Sequence, residues 1–273
     1  DFGGAILWKG ANGKLIDCVF DGCTATNYGG AICSEYGLNL THCAFSKCVA
    51  GVFGGAIYLN KSSSVLNDCL FIQCNVSDFP HKFRGGAGGA VYVSSLAQVE
   101  IHGSHFEQCH VITADPENEF AYGGGALDIT SDKLHSKVYN STFVCCSATE
   151  GGAILADNVL ISNCTFDENS AVSGGAIDAY KNSKNEIIDC NFKNNYVRTT
   201  TKIGSGGAIH LLSDYCNITN CNFWNNSADI GDSIALESKK DSSSFIFISN
   251  CTFDENKNED IIYMEPGYSV YFN

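Results

Sequence analysis

Residues 174–195 read GGAIDAYKNSKNEIIDCNFKNN, and residues 206–226 read GGAIHLLSDYCNITNCNFWNN. Both stretches open on Gly-Gly-Ala-Ile. Both close on a small residue, a Phe two positions later and an Asn three after that. Working outward, the opening string or a close variant begins at Gly3, Gly29, Gly54, Gly88, Gly124, Gly151, Gly174 and Gly206, and decays to Gly231-Asp232-Ser233-Ile234. The closing motif recurs with Phe20, Phe45, Phe71, Phe106, Phe143, Phe166, Phe192, Phe223 and Phe253. Nine copies at spacings of about 25 residues are the signature of a solenoid, in which each unit buries its apolar face against its neighbours.

The local period selects the kind of solenoid. Apolar residues alternate in Val99/Ile101, Val159/Ile161 and Ile246/Ile248, and again after the glycines in Ile57/Leu59, Val91/Val93, Leu127/Ile129 and Ile209/Leu211. A period of two belongs to strands, and no i, i+3, i+4, i+7 stripe competes with it. The reading is all-β: a right-handed parallel β-helix, a single-stranded solenoid of about nine rungs, forming one domain over residues 1–273 as a fragment of a longer chain. The paired glycines supply left-handed bends, and the nine Phe stack as one internal ladder. Residues alternating outward after Gly-Gly-Ala, namely Tyr58, Tyr92, Asp128, Asp178 and His210, are expected to face water.

Two cysteine columns accompany the Phe. One runs Cys18, Cys43, Cys69, Ser104, Ser141, Cys164, Cys190, Cys221, Cys251; the other runs Cys23, Cys48, Cys74, Cys109, Cys146, Asn169, Asn195, Asn226, Asn256. Substitution by Ser in one column and Asn in the other describes slots for a small or turn-bonding residue. The columns read as buried free thiols, with disulfides and metal as the alternatives. A tetrahedral zinc site needs four converging ligands, which a line of thiols does not provide. Cys33 and Cys145 fall outside both columns and are expected to face outward as the reactive or pairing thiols.

With 30 acidic residues against 16 basic ones, a net charge of −14, and Arg84 and Arg198 as the only arginines, the chain has little with which to neutralise phosphates. Nucleic acid is therefore excluded as a partner. No apolar run approaches the roughly 18 residues that cross a bilayer, so membrane attachment is expected only through parts outside this segment. Three turns are long, at 75–87, 110–123 and 196–205. They carry the candidate binding residues Phe79, His81, Lys82, Phe83 and Arg84, then Phe120 and Tyr122, then Tyr196, Arg198 and Lys202. Exposed aromatics beside mixed charges suit recognition of a partner or glycan. His42 between Asp17 and Asp68 is the best acid–base constellation, yet Asp and Asn at a bend ordinarily bond their own backbone. No catalytic residue, cofactor or metal is assigned. Eight Asn-x-Ser/Thr sequons, at Asn39, Asn60, Asn75, Asn140, Asn163, Asn217, Asn225 and Asn250, are candidate glycosylation acceptors.

Gly-Gly-Ala-Ile together with Phe-x-x-Asn resembles the repeats of the chlamydial polymorphic outer membrane proteins, and similar repeats occur in adhesin-like surface proteins of methanogens and of protists such as trichomonads. Five copies reading Phe-x-x-Cys, together with the sequons, place the chain nearer the Cys-rich protist kind. The resemblance implies a right-handed parallel β-helix at the cell surface or outside the cell, non-enzymatic and adhesin-like, whose partner is a host-cell surface protein or glycan. Right-handed β-helices also resemble pectate lyases and polygalacturonases, so a carbohydrate-active enzyme is the alternative; it would need clustered Asp, or Lys and Arg around an acidic sugar, on one strand face, and the only two Arg lie in different loops. A structural spacer or stalk is the second alternative.

Overall fold

The computed structural model describes residues 1–77, 86–112, 123–130, 135–179, 183–198, 203–212, 215–237, 244–254, 260–266 and 268–273. The chain coils as a parallel β-helix with three long sheets. The first holds ten strands from Ile6–Trp8 to Ile262–Met264, the first eight of them each following a Gly-Gly bend. The second holds ten from Gly13–Ile16 to Tyr268–Phe272, and the third nine from Val19–Asp21 to Thr252–Phe253. A narrower row of two- and three-residue strands begins at Thr24–Ala25 and includes Asn75–Ser77 and His110–Ile112. Every pairing is parallel and joins equivalent positions, such as Ile154 with Ile177 and Phe166 with Phe192.

Corners require a left-handed backbone. Asp17, His42, Asp68, Asn140, Asn163, Asp189, Asn220 and Asn250 occupy one such row, with φ between 50° and 55°. Asn and Asp tolerate that region best among residues with a β-carbon, which accounts for the composition of the row. At the Gly-Gly bend the constraint is steric. A β-carbon on Gly29 would lie 2.0 Å from the Ile32 carbonyl oxygen, and one on Gly30 would lie 2.0 Å from the Gly55 oxygen of the next rung. No other residue type fits either place.

Inside, the nine Phe form one ladder. Successive rings lie 4.7 to 5.0 Å apart and within 6° of parallel. Phe45 through Phe223 are buried, and the ladder is enclosed by Ile, Leu and Val from the first two sheets in one continuous core. A separate, smaller core of Val76, Val111 and Ala148 lies beneath the narrow fourth row.

The cysteine columns occupy inner corners as free thiols, most of them buried. Their interchange with Ser and Asn has a hydrogen-bonding cause. Asn169, Asn195 and Asn226 each donate Nδ2 to the carbonyl of the Phe one rung back, Phe143, Phe166 and Phe192, at 3.0 to 3.1 Å. Cys48, Cys74, Cys109 and Cys146 reach the same carbonyl, on Phe20, Phe45, Phe71 and Phe106, with Sγ at 3.5 to 3.8 Å. Each Asn Oδ1 also accepts the backbone N–H of the preceding occupant, as Asn195 does from Asn169 at 3.1 Å. Ser104 does the same for Cys69 at 3.1 Å.

Two sequence expectations are corrected. The first concerns the row expected to face water: Asp128, Asp178 and His210 are buried, and Tyr58 and Tyr92 are half-buried. The left-handed glycine folds the residue before it back over the outside of the first sheet. These residues pair as their own row, Phe2 with Tyr28, Tyr28 with Phe53, Glu150 with Ser173, and Ser173 with Ser205. They cover the row beneath; Phe53, for example, stacks on Tyr92 at 4.4 Å. The second concerns Cys33, which lies under the same cover at 4% exposure, with its thiol pushed up to about 11 by burial and by Glu35. Cys145 is half-buried and occupies a left-handed corner; burial and its 3.3 Å contact to Glu168 Oε2 lift it to about 11. Neither is an activated thiol.

Phe166→Ala, in the middle of the ladder, should lower unfolding free energy by about 3 to 5 kcal/mol through cavity formation. Denaturant titration checks this. A loss under about 1 kcal/mol, the scale of surface substitutions, would place the ring outside the core.

Candidate functional site

The covered strip outside the first sheet changes character along the column. Toward the N-terminus it is aromatic, with Tyr28, Phe53, Tyr58 and Tyr92 stacked ring on ring at 4.4 to 5.4 Å. Their faces are spent on one another, so they stiffen the column and offer edges to a ligand. Further along, the same strip becomes acidic. Asp128, Leu155, Asp178 and His210 come from consecutive positions of the sheet row, and Glu150 and Ser173 come from the covering row.

Asp178 Oδ2 accepts from Ser173 Oγ at 2.9 Å and pairs with His210 Nδ1 at 2.9 Å. On the other side of the ring, Nε2 lies 3.6 Å from Glu237 Oε2. Ser205 Oγ in turn donates to Glu237 Oε1. Burial depresses the imidazole, but Asp178, with Glu237 behind it, overrides that and lifts it to about 10. The His210 imidazole beside it holds Glu237 below the ordinary carboxylate range. Two further acids go the other way. Burial, with Asp157 nearby, pushes Asp128 up to about 8, and burial, with Asp178 nearby, pushes Glu150 up to about 8. Asp128 Oδ1, Glu150 Oε2 and Asp178 Oδ1 are buried without a hydrogen-bond partner.

Chemically, this is a patch of protonated carboxylic acids beside an imidazolium at neutral pH, the protonation pattern of a general acid. Asp128 and Asp178 are each 2% exposed, so the patch meets solvent through the half-buried Glu150 and Glu237. Glu150, Asp157 and Glu237 had drawn no attention in the sequence. The available signal was an acidic residue directly before Gly-Gly, where most other rungs carry an aromatic or small one.

The other sequence candidates fall in three groups. His42 does lie between Asp17 and Asp68, at 3.4 and 3.7 Å, but all three side chains are more than half exposed on an open corner. Tyr196 is 43% exposed at the stem of the third long turn. Arg198 turns its guanidinium back to the Ala148 carbonyl, 2.7 Å from Nη2, so the chain itself holds the donor. Phe79, His81, Lys82, Phe83, Arg84, Phe120, Tyr122 and Lys202 lie outside the described residues. Of the sequon asparagines, Asn39, Asn140, Asn163, Asn225 and Asn250 are exposed, and Asn60, Asn75 and Asn217 are half-buried. The Nδ2 groups of Asn163, Asn225 and Asn250 already donate to Asn140, Asn194 and Asn220 at 2.6 to 2.8 Å. Among the described residues, no three His, Cys, Asp or Glu side chains converge as a metal cage.

A family model described as the right handed beta helix region matches residues 1–143, 105–245 and 150–273. No curated protein and no solved structure matches the chain.

The raised carboxyl groups tie stability to pH. Asp128 and Glu150 keep their protons in the folded state up to about 8 but lose them near 4 when unfolded. Their contribution is complete below pH 4 and is lost as pH climbs from 4 to 8. His210 adds a contribution that is complete below about 6.5 and lost toward 10. Asp128→Asn should therefore gain on the unsubstituted chain steadily between pH 4 and 8, by up to about 1 kcal/mol per pH unit. A pH series of thermal melts checks this, and parallel curves would contradict it.

Proposed function

Because the chain belongs to the right-handed β-helix family, we propose that its column is a rigid display scaffold: a non-enzymatic, adhesin-like protein at the cell surface or outside the cell, presenting its long turns to a host-cell protein or glycan. The resemblance of the Gly-Gly-Ala-Ile and Phe-x-x-Asn/Cys repeats to those of the polymorphic outer membrane and protist surface proteins supports this reading. One observation carries it. The stems of the three insertions leave from a single row of the solenoid. Asn75–Ser77 pairs with His110–Ile112, and the row continues through Ser147 and Ser170 to Tyr196. Val76 and Val111 anchor the first two stems in the separate small core. Turns rooted in one row of a stiff support form one face, and immobilised roots reduce the ordering cost of binding.

A specific observation also favours a second reading, carbohydrate-active chemistry. Asp128 and Asp178 stand on one strand face with Leu155 between them and Glu150 and His210 beside them, and burial pushes Asp128 and Glu150 up to about 8, which supports that reading.

Both readings are tested together. The short rung has two residues between Ala50 and Phe53. Deleting 78–85, 113–121 or 199–203 restores that length, and shortening a turn costs little. Each deletion should fold, and binding to host-cell monolayers or a glycan array should fall, most for 78–85, which carries Phe79, His81, Lys82, Phe83 and Arg84. Undiminished binding by the triple deletion would overturn display and leave a spacer. Release of sugar from polysaccharides by the intact chain, abolished in Glu150→Gln, would establish the second reading instead.

A further inference from the structure

Three uninterrupted runs of thiols are stacked along the column: Cys18, Cys43 and Cys69; Cys23, Cys48, Cys74, Cys109 and Cys146; and Cys164, Cys190, Cys221 and Cys251. The register is fixed by the backbone. Val49 N–H donates to the Cys23 carbonyl, Asn75 to Cys48, His110 to Cys74 and Ser147 to Cys109, all between 2.9 and 3.3 Å. Successive sulfurs sit at equivalent places, each donating to a carbonyl one rung back: Cys48, Cys74, Cys109 and Cys146 to Phe20, Phe45, Phe71 and Phe106, and Cys164, Cys190, Cys221 and Cys251 to Val138, Ile161, Ile187 and Ile218, at 3.5 to 3.8 Å. Cys48, Cys74, Cys109 and Cys146 are fully buried.

A line of sulfurs cannot build the tetrahedron that zinc requires, in keeping with the lack of a converging group among the described residues. It suits a different coordination. Stacked strands are about 4.8 Å apart, and a thiolate bond to a d10 ion is about 2.3 Å, so an ion midway between successive sulfurs is at bonding distance from both. Soft monovalent d10 ions select thiolate sulfur and accept two ligands in a line. We propose that the thiol columns are linear two-coordinate sites for such ions, cuprous ion being the biological representative, with one ion in each gap between successive cysteines.

The balance closes without any redox step. Each thiol gives up one proton to solvent and each inner thiolate bridges two ions, so a run of n sulfurs holds n−1 ions and retains one negative charge whatever its length. Because most of these sulfurs are buried, Cys18, Cys23 and Cys251 at the run ends excepted, loading takes place as the chain folds or when a rung opens.

The test refolds the reduced chain with silver(I), a redox-inert probe of this class, removes loosely held ions with a thioether competitor and weighs the native protein by mass spectrometry. Gaps number two, four and three in the three runs, so nine retained ions are expected. Cys74→Asn, which installs the residue that column accepts at Asn169, breaks two gaps and should lower the count by two. Cys23→Asn, at the end of the run, should lower it by one. X-ray absorption should give two sulfurs per ion. Equal losses from both variants, three or four sulfurs per ion, or a folded protein that retains none would each overturn the proposal.

Discussion

The structure depends on a side chain at each inner corner that serves two rungs at once. Cysteine there donates to a carbonyl one rung back, and Asn both donates to that carbonyl and accepts the N–H of the equivalent residue, as Asn195 does with Phe166 O and Asn169 N. A parallel sheet alone satisfies its backbone within strands, but a solenoid must turn at every corner, and there the N–H groups would be buried without partners. The corner ladder answers that need. It also forces neighbouring rungs into one register, and from the register follow the Phe stack, the left-handed Asp and Asn rows and the common row from which the stems of the long turns leave.

The same constraint gives the column its two surfaces of interest. Register places like above like, so an insertion at one corner is rooted beside an insertion at the same corner elsewhere. Outside the first sheet the left-handed glycine adds a covering row. Where that row is aromatic it extends the packing; where it carries Glu150 and Ser173 it closes over acids that cannot all ionise. A scaffold that buries carboxyl groups loses stability as pH rises, and here it does so at oxygens of Asp128, Glu150 and Asp178 that have no hydrogen-bond partner among the described residues.

Much of this was legible in the sequence because the information repeats. Nine Phe at one position and paired glycines at another fix the architecture, the ladder and the corners without any long-range inference. The errors share one cause. Alternation says that Asp128, His210 and Cys33 point away from the core, and they do, but it cannot say that a second layer lies on top of them. That layer comes from the bend at Gly29 and its equivalents, whose effect is three-dimensional: the residue before the bend returns over the residue five positions later. Glu150 and Glu237 were invisible for the same reason, since each acquires its meaning only from His210 and Asp178 across that layer.

The most direct test of the corner ladder is to replace Asn195 and follow both global unfolding and the exchange of the Asn169 amide, which donates to Asn195 Oδ1. Asn195→Ala should cost about 1 to 3 kcal/mol, the penalty for a buried donor left unsatisfied, and should speed exchange at Asn169. Asn195→Cys should retain most of the stability and protection, because cysteine fills the equivalent slot at Cys48, Cys74 and Cys109. If the Ala and Cys variants matched each other and the unsubstituted chain, the corner residue would be a space-filler and the account of the column would be wrong.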